Sequence, residues 1–238
     1  MLVYTDHDSF NACSFVEKDA MDAESPIDLL DDPAELARFD GWSEAVYRDF
    51  LALQRGRISE DDFRAAHGRR RAILALDLTG FTITGLQWGE IDALLRIFNA
   101  QKVCIPVLRA TGACHIRCFA DDIVALFERP EAALDAAFTI HERISAFNAT
   151  PLAGAHPAQC CIGIGWGHVL AIGPNLAQGD EMNLASKLGE DIARGGETLM
   201  TENAQHALRE RPDVRFQRRI LDDAVFSYYE VIRRSPAE

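Results

Sequence analysis

The chain has 238 residues, of which 48% are hydrophobic, and its formal net charge is −13. This length suits one large domain, or one medium domain with an extension. The acidic balance argues against nonspecific nucleic-acid binding and against docking on an anionic membrane, because both need a basic surface. A polyanionic ligand would therefore have to be met locally, by metal ions, helix N-termini and a few Lys or Arg side chains.

Targeting signals are lacking in the printed sequence. No apolar run approaches the roughly 20 residues of a membrane-spanning helix, and "MLVYTDHDSF" lacks the basic start and apolar middle of a signal peptide. The six Cys contain no C-x-x-C pair, and most lie in apolar surroundings, as reduced thiols do. We therefore expect a cytoplasmic protein without a membrane partner.

The first part of the chain predicts an arm followed by helices. Residues 1 to about 32 are acidic and polar, which indicates a poorly ordered arm or a cap that depends on a partner. From Pro33 the pattern is helical, with apolar residues at spacings of three and four and a stop at Gly56. The apolar face consists of Leu36, Phe39, Trp42, Val46, Phe50 and Leu53. Ser59 followed by Asp62 resembles a capping box and predicts a short helix through Phe63.

After the "RRR" at 69 to 71, the elements read β-α-β-β-α-β. The apolar strand "AILALDL" precedes the helix "GEIDALLRIFNAQKVCIPVLRA", which Pro106 should kink or end. "ACHIRCFADDIVALF" predicts a hairpin with Ala120, Asp121 and Asp122 at its tip, and "PEAALDAAFTIHERISAFNA" a second helix. "AQCCIGIGWGHVLAIG" predicts a Gly-rich strand pair, and "GDEMNLASKLGEDIARGG" a helix that ends at a Gly pair. Strands near "ETLMT", "VRFQRRIL" and "VFSYYEVI" close the domain.

Two carboxylates stand out in this pattern. Asp77 ends the first apolar strand, and a buried, unpaired carboxylate costs several kcal/mol. Asp121 lies in a hairpin that would pair beside that strand, so both can meet at one sheet edge. Two divalent ions, for which Mg²⁺ is well suited, would relieve their repulsion. The turn Thr79-Gly80-Phe81-Thr82 offers backbone N–H groups that could cradle phosphate. The simpler alternative is two solvated carboxylates at strand ends.

Three segments, "LALDLTGFT", "RCFADDIVALF" and "GDEMNLASKLGEDIA", resemble the signatures of class III nucleotidyl cyclases, over about residues 70 to 232. The resemblance implies an α/β (α+β) fold, a ferredoxin-like βαββαβ catalytic domain, here with an N-terminal helical extension. It places that extension, with the acidic arm, at residues 1–68 and the catalytic domain at residues 69–238. It also implies a head-to-tail homodimer with composite active sites, which converts a nucleoside triphosphate to a 3′,5′-cyclic nucleotide and pyrophosphate.

The resemblance further implies a role for each matching position, with two Mg²⁺ or Mn²⁺ ions in each site. The metal ligands are Asp77, Asp121 and the Leu78 carbonyl, and the phosphate-binding residues are Thr79, Gly80, Phe81 and Thr82. Asn183 matches the Asn that orients the ribose, while Lys187 replaces the usual Arg against the transition-state phosphate. Asp122 is interpreted as a structural residue of the hairpin tip, because the metal ligand of the family aligns with its neighbour.

The base-reading positions depart from the adenylate cyclase pattern. Arg117 stands where those enzymes usually have Lys, and Leu176 stands where they have Asp or Thr. Arg117 presents only donors and so favours a base carbonyl, while both larger side chains shrink the pocket. These departures favour UTP and resemble the pyrimidine cyclases of bacterial Pycsar antiphage systems. An adenylate cyclase that makes cyclic AMP and an inactive, nucleotide-binding pseudo-cyclase remain the alternatives.

Overall fold

The computed structural model describes residues 29–39, 41–79, 89–154, 157–172, 177–220 and 226–234. Most of the expected acidic arm lies outside the described residues. So do the expected phosphate-binding residues Gly80, Phe81 and Thr82 and the expected base contact Leu176. The interpretations of these residues stay predictions.

The apolar pattern after residue 33 forms two helices where one was expected. Helix α1 spans Pro33–Leu36 and continues as a 3₁₀ turn, Ala37–Phe39, and helix α2 spans Glu44–Gln54. The Ser43 hydroxyl accepts a hydrogen bond from the backbone N–H of Val46, so it caps a new helix inside the predicted span. The expectation of one continuous helix was wrong because spacing alone does not register such a cap.

The next two local signals are confirmed. Gly56 follows α2 with φ +62°, a conformation that glycine adopts readily. Helix α3, Glu60–His67, begins with the expected capping box, in which Ser59 and Asp62 exchange side-chain and backbone hydrogen bonds. Apolar residues of α2 and α3 pack against Ile172 at the end of a central strand, so this extension is joined to the sheet.

Eight described strands form one sheet. They are β1 (Gly68–Leu78), β2 (His115–Phe119), β3 (Asp122–Phe127), β4 (Cys160–Ala171), β5 (Ala177–Gln178), β6 (Thr198–Thr201), β7 (Val214–Ile220) and β8 (Ser227–Arg233). The strand order is β2-β3-β1-β4-β6-β8-β7, and β5 pairs with β4. Only the β4–β6 pairing is parallel among these strands. The four strands of the βαββαβ unit therefore lie side by side, which confirms the expected fold class.

Among the described residues, four helices cover the two faces of the sheet. They are α4 (Glu90–Ala110), α5 (Pro130–Asn148), α6 (Asp180–Lys187) and α7 (Glu202–Leu208). Leu74, Leu76 and Leu78 of β1 pack with apolar residues of α4, α5 and α7 in the largest core cluster. Ile73 and Ala75 point to the other face and pack with α6. Asp77 continues this second row, since side chains alternate along a strand.

The structure excludes one of the two outcomes expected at Pro106, where the helix does not end, and it contradicts the expected strand pair. Helix α4 runs through Pro106 to Ala110 without ending there. Cys104, Val107 and Leu108 are buried around the proline, so tertiary packing holds the helix together despite the lost hydrogen bond. The Gly-rich segment forms the single long strand β4 rather than a strand pair. Strand β5 and helix α7 were not predicted at all.

Close packing of α6 against the sheet explains the glycines of β4. A methyl group added at Gly163 would lie 2.0 Å from the carbonyl oxygen of Ala185 and 2.6 Å from the backbone nitrogen of Gly189. Helix α6 continues into a π-helical turn, Leu188–Ile192, and the predicted helix thus ends before the Gly pair at 195–196. In the described part of the chain, no helix has the length and apolar character needed to cross a membrane.

Candidate active site

The site is built at the end of β1. Asp77 is the penultimate residue of this strand, and its neighbour across the ladder on β4 is Cys161. On the other side, Leu76 pairs with Ile123 of β3, so the next position outward brings Asp77 opposite Asp122. Residues directly opposite in an antiparallel pair share one face of the sheet. Asp77 and Asp122 therefore share the face that carries α6.

Asp121 comes from the turn between β2 and β3. Phe119 pairs with Asp122, so Ala120 and Asp121 form a two-residue hairpin turn. Ala120 adopts φ +50°, whereas two-residue hairpin turns usually place Gly or Asn in such a conformation. Ala120 therefore holds a backbone conformation that is unfavourable for a residue with a Cβ atom. The geometry of the turn directs Asp121 toward the end of β1.

The structure brings three carboxylates together. Oxygen atoms of Asp77, Asp121 and Asp122 lie within 4.8 Å of one another, and all three side chains are half-buried. Burial, followed by repulsion from Asp121, raises the pKa of Asp77 to about 7, against a partly opposing hydrogen bond from the Leu78 backbone. Burial and the charge of Asp121 also raise the pKa of Asp122. The cluster is therefore poised to bind cations.

The placement of Asp122 changes its interpretation. The sequence favoured a structural role at the hairpin tip, but Asp122 is the first residue of β3 and belongs to the same carboxylate cluster as Asp77. The adjacent "DD" pair was the available signal. To use this signal, one must know where β3 begins, because the alternation of side chains along the strand then decides which Asp faces Asp77.

A fourth carboxylate was missed. Burial and the negative charge of Asp122 raise the pKa of Glu190, and Glu190 in turn raises the pKa of Asp77. Glu190 lies in the π-helical turn Leu188–Ile192. The residue before it, Gly189, packs against the backbone of Ala75 in β1. Because Ala75 and Asp77 lie on the same face of the sheet, this turn lies next to the carboxylate cluster. The sequence hinted at a role for Glu190 only through its position seven residues, or about two helical turns, after Asn183.

Thr79, two residues after Asp77, is anchored by three contacts. Its backbone N–H donates to the Gln159 carbonyl at 3.0 Å, and its hydroxyl lies 3.3 Å from the Cys161 sulfur. Its carbonyl accepts a hydrogen bond of 3.2 Å from Nη2 of Arg96. The N–H that was expected to face phosphate is therefore used inside the protein, and Thr79 fixes the start of the expected phosphate-binding turn.

Arg117 lies beside the carboxylates. It is on β2, opposite Val124, and so belongs to the same face as Asp122. Its positive charge lowers the pKa of Asp122, against the dominant effect of burial. The guanidinium also lies over the ring of Phe119, 5.6 Å from the centroid, and this ring is largely exposed. An aromatic surface and a cation thus flank the carboxylates on the hairpin.

Asn183 and Lys187 are exposed on one side of α6, one turn apart. Lys187 Nζ lies 3.5 Å from Asp191 in an exposed i,i+4 pair, which leaves it accessible. On the opposite side of the helix, the carboxylate of Glu181 is 7% exposed and accepts three hydrogen bonds. These bonds come from the Trp166 N–H, the Thr201 hydroxyl and the Asn203 amide. Glu181 therefore fixes α6 to β4, β6 and α7.

The carboxylate cluster fits hard divalent cations. Its ligand atoms are carboxylate oxygens from strand ends and a short turn, which suit Mg²⁺ or Mn²⁺. Asp77, Asp121 and Asp122 would hold such ions, with Glu190 close by. The Cys161 thiol lies beside Asp77, but burial raises its pKa and keeps it protonated, which makes it a poor ligand.

Solved structures of cyclase domains have the same fold. The adenylyl cyclase CyaB from P. aeruginosa matches with 15% identity and a TM-score of 0.59, covering 71% of this chain and 97% of its own. The guanylate cyclase domain of RhGC from Catenaria anguillulae, in complex with GTP, matches with 16% identity and a TM-score of 0.59, covering 71% and 98%. An adenylate/guanylate cyclase/hydrolase from Silicibacter pomeroyi matches with 22% identity and a TM-score of 0.57, covering 69% and 95%.

Sequence comparison gives no such relatives, since no protein-family model and no curated protein matches the chain. The identities to the solved structures are low, so their likeness concerns the fold. The matched part is nearly the whole of each cyclase domain. The chain therefore has the fold of a class III nucleotidyl cyclase catalytic domain.

Proposed function

We propose that this protein is a nucleotidyl cyclase, which converts a nucleoside triphosphate to a 3′,5′-cyclic nucleotide and pyrophosphate. One observation carries the proposal: within a cyclase fold, carboxylate oxygens of Asp77, Asp121 and Asp122 converge to within 4.8 Å at the end of β1. Solvated strand-end carboxylates have no reason to converge in this way, because their mutual repulsion disfavours it. Asp77 and Asp121 also match the metal-binding positions in the sequence signatures of that family.

Different residues of the chain have different proposed roles in this reaction. Divalent ions bound by the carboxylates would neutralise phosphate charge and lower the pKa of the ribose 3′-hydroxyl. Asn183 orients the ribose so that its 3′-oxygen faces the α-phosphate. Lys187 offsets the negative charge that grows on the phosphate during attack, as a point charge without the fork geometry of Arg. Residues 80 to 82 hold the terminal phosphates, and Thr79 anchors the start of that segment through its contacts with Gln159 and Cys161.

The active protein is proposed to be a homodimer in which Asn183 and Lys187 serve the carboxylates of the partner. An exposed apolar stripe on α4 supports a dimer. Ile91, Leu94, Leu95 and Phe98 are each between 49% and 70% exposed and recur with helical spacing. Covering them against a second copy would remove this apolar surface from water. Leu94→Glu should therefore give a monomer in sedimentation experiments, with lost turnover.

UTP is the proposed substrate. Arg117 lies beside the carboxylates and over the exposed Phe119 ring, where it can donate to a base carbonyl. The amino edge of adenine cannot accept such a bond. A further proposal is that cyclic UMP acts as the signal of an antiphage defence system. This role rests only on the resemblance of the base-reading positions to Pycsar cyclases.

The experiment is incubation of the purified protein with each of the four ribonucleoside triphosphates and Mn²⁺, with product identification by mass. We expect cyclic UMP and pyrophosphate, and loss of both in Asp77→Ala and Asp121→Ala. Asp61→Ala, an exposed Asp on α3, is the matched control and should retain activity. Turnover of ATP alone would favour the adenylate cyclase alternative. Nucleotide binding without pyrophosphate release would identify a pseudo-cyclase.

Mixing two inactive variants tests the composite site. Asp77→Ala and Asn183→Ala should each lack turnover, while their mixture should regain part of it, because one site of a mixed dimer would be complete. No recovery in demonstrably mixed dimers would contradict the shared site. For the base, Arg117→Ala should lower UTP turnover more than ATP turnover, and Arg117→Lys with Leu176→Asp should shift preference toward ATP.

A further inference from the structure

Three consecutive arginines, Arg69, Arg70 and Arg71, have no role in the proposed reaction. They lie near the start of β1 in a chain with 37 acidic and 24 basic residues, yet none of them forms an ion pair with a described carboxylate. Arg69 and Arg71 donate instead to the backbone carbonyls of the residues before them. Clustered cations without a carboxylate partner favour an anion from outside the chain.

Arg70 differs from its two neighbours because an aromatic ring holds it. Its guanidinium lies over the ring of Trp166 on β4, 4.8 Å from the centroid. This contact leaves the charge of Arg70 in place, and a planar guanidinium over a ring can still donate from its N–H groups. Such a planar fork binds two oxygens of one phosphate. Trp166 therefore orders Arg70 for an oxyanion without neutralising it.

Arg70 and Trp166 line a cavity at a gap in the pairing of β4. Among the described residues, β6 pairs with β4 only as far as Ile164, and β5 pairs with it only from Leu170. The part of β4 between them borders an edge cavity of about 620 Å³, which lies within the range of about 300 to 1,000 Å³ that is usual for small-molecule sites. The exposed polar side chains of its lining are Arg70, His168, Asp180, Asn203 and His206.

The charges around the edge cavity favour an anion. Its two carboxylates are Asp180 and the buried Glu181, whose oxygens already accept three hydrogen bonds. Residues 69 to 71 set three unpaired guanidiniums beside them. A second cavity of about 530 Å³ shares Asp180 and adds Arg64, which Glu60 offsets at 3.9 Å. The cations therefore outnumber the carboxylates here, although the net charge of the whole chain is −13.

We propose that the edge cavity binds a phosphate-bearing small molecule, with Arg70 as the residue that holds the phosphate. Arg70 lies seven residues before Asp77 on β1, which is about 24 Å at about 3.4 Å per residue. The site is therefore separate from the carboxylate cluster and does not depend on the proposed function. His168 on β4 and Asn203 on α7 can add hydrogen bonds from two sides. The volume also leaves room for an organic group next to the phosphate.

The test is calorimetric titration of the metal-free protein, in EDTA and at constant ionic strength, with inorganic phosphate and with adenosine 5′-monophosphate. We expect saturable binding that depends on Arg70, and tighter binding of the nucleotide would show that the cavity also contacts the organic group. Arg70→Gln should raise Kd by about tenfold or more, because it removes a charge-assisted contact. Arg70→Lys should recover part of the affinity, since it keeps the charge and loses the fork. Asp180→Asn should lower Kd, because it removes a charge of the same sign as the ligand.

Arg215→Gln is the matched control, with the same change of charge at an exposed position of β7 that lines neither cavity, and it should keep the wild-type Kd. The inference is overturned if neither probe binds saturably, or if Arg70→Gln binds as the wild type does. Binding that Asp77→Ala abolishes and Arg70→Gln leaves intact would place the probes at the carboxylate cluster and would also overturn it. If Arg70→Gln does not fold, Asp180→Asn decides, since an unchanged or higher Kd there contradicts an anion site in this cavity.

Discussion

The contact between β4 and α6 gives a sharp prediction for Gly163→Ala. The added methyl carbon would lie 2.0 Å from the Ala185 carbonyl oxygen and 2.6 Å from the Gly189 nitrogen. Unbonded heavy atoms prefer separations of about 3.5 Å or more, so the helix would have to retreat by over about 1 Å. Both contacts are backbone atoms, which cannot rotate away. Asn183 and Lys187 lie two residues before and after Ala185, so both would move with it.

Overpacking of this kind costs about 1 to 3 kcal/mol, and sometimes more. For a protein of this length that corresponds to a drop in Tm of about 2 to 12 °C, measured by circular dichroism. Misplacement by about 1 Å can lower kcat about 100-fold, measured well below Tm. Gly112→Ala is the control, because no atom lies within 4 Å of its added methyl group and its φ of +86° costs stability alone. Wild-type Tm and kcat in Gly163→Ala would refute the reasoning.

Three further predictions concern strain, buried polar contacts and pH. Ala120→Gly should raise the free energy of unfolding by up to about 1 kcal/mol in urea, since relief of about 1 to 2 kcal/mol at φ +50° exceeds the entropic cost of glycine; a less stable variant would contradict this. Glu181→Ala should lower that free energy by at least about 2 kcal/mol, because three donors lose their acceptor, whereas Glu181→Gln should cost less than half as much. The raised pKa of Asp77, about 7, means that its carboxyl holds a proton at lower pH, so the metal-free protein loses stability as pH rises through 7. The gain in Tm on adding Mn²⁺ should therefore be larger at pH 8 than at pH 6, and an equal gain would contradict the shifted pKa.

Local signals in the sequence predicted local structure well, and long-range packing decided the rest. The capping box at Ser59 was confirmed because its hydrogen bonds form within one helical turn. Pro106 was expected to kink or end α4, and the helix does not end there because burial of its neighbours against the sheet outweighs the lost hydrogen bond. The glycines of β4 suggested a turn, whereas their cause is a helix from another part of the chain, which lies against Gly163. Such causes lie across the fold and have no local pattern.

The same limit applies to the candidate site. The sequence identified Asp77 and Asp121 because each ends or interrupts an apolar strand, and the structure brings them together. It assigned Asp122 to the hairpin tip, since the choice between adjacent Asp residues depends on the strand register. It missed Glu190 because only packing of the π-helical turn on β1 brings that carboxylate near Asp77. Sequence patterns thus identified Asp77 and Asp121, whereas only the contacts in the folded structure identified the carboxylates that lie next to them.

The two additional carboxylates affect the order in which the site can fill. The half-buried Asp122 and the exposed Glu190 add negative charge to the pair expected from the sequence. A free triphosphate would therefore be repelled, although Arg117 lies beside Asp122. If the proposed function holds, divalent ions would relieve the repulsion among the carboxylates and attract the phosphates, so they would have to enter before the nucleotide or with it. In a chain whose net charge is −13, binding of the proposed substrate would thus depend on metal ions more than on any general attraction of the protein surface for anions.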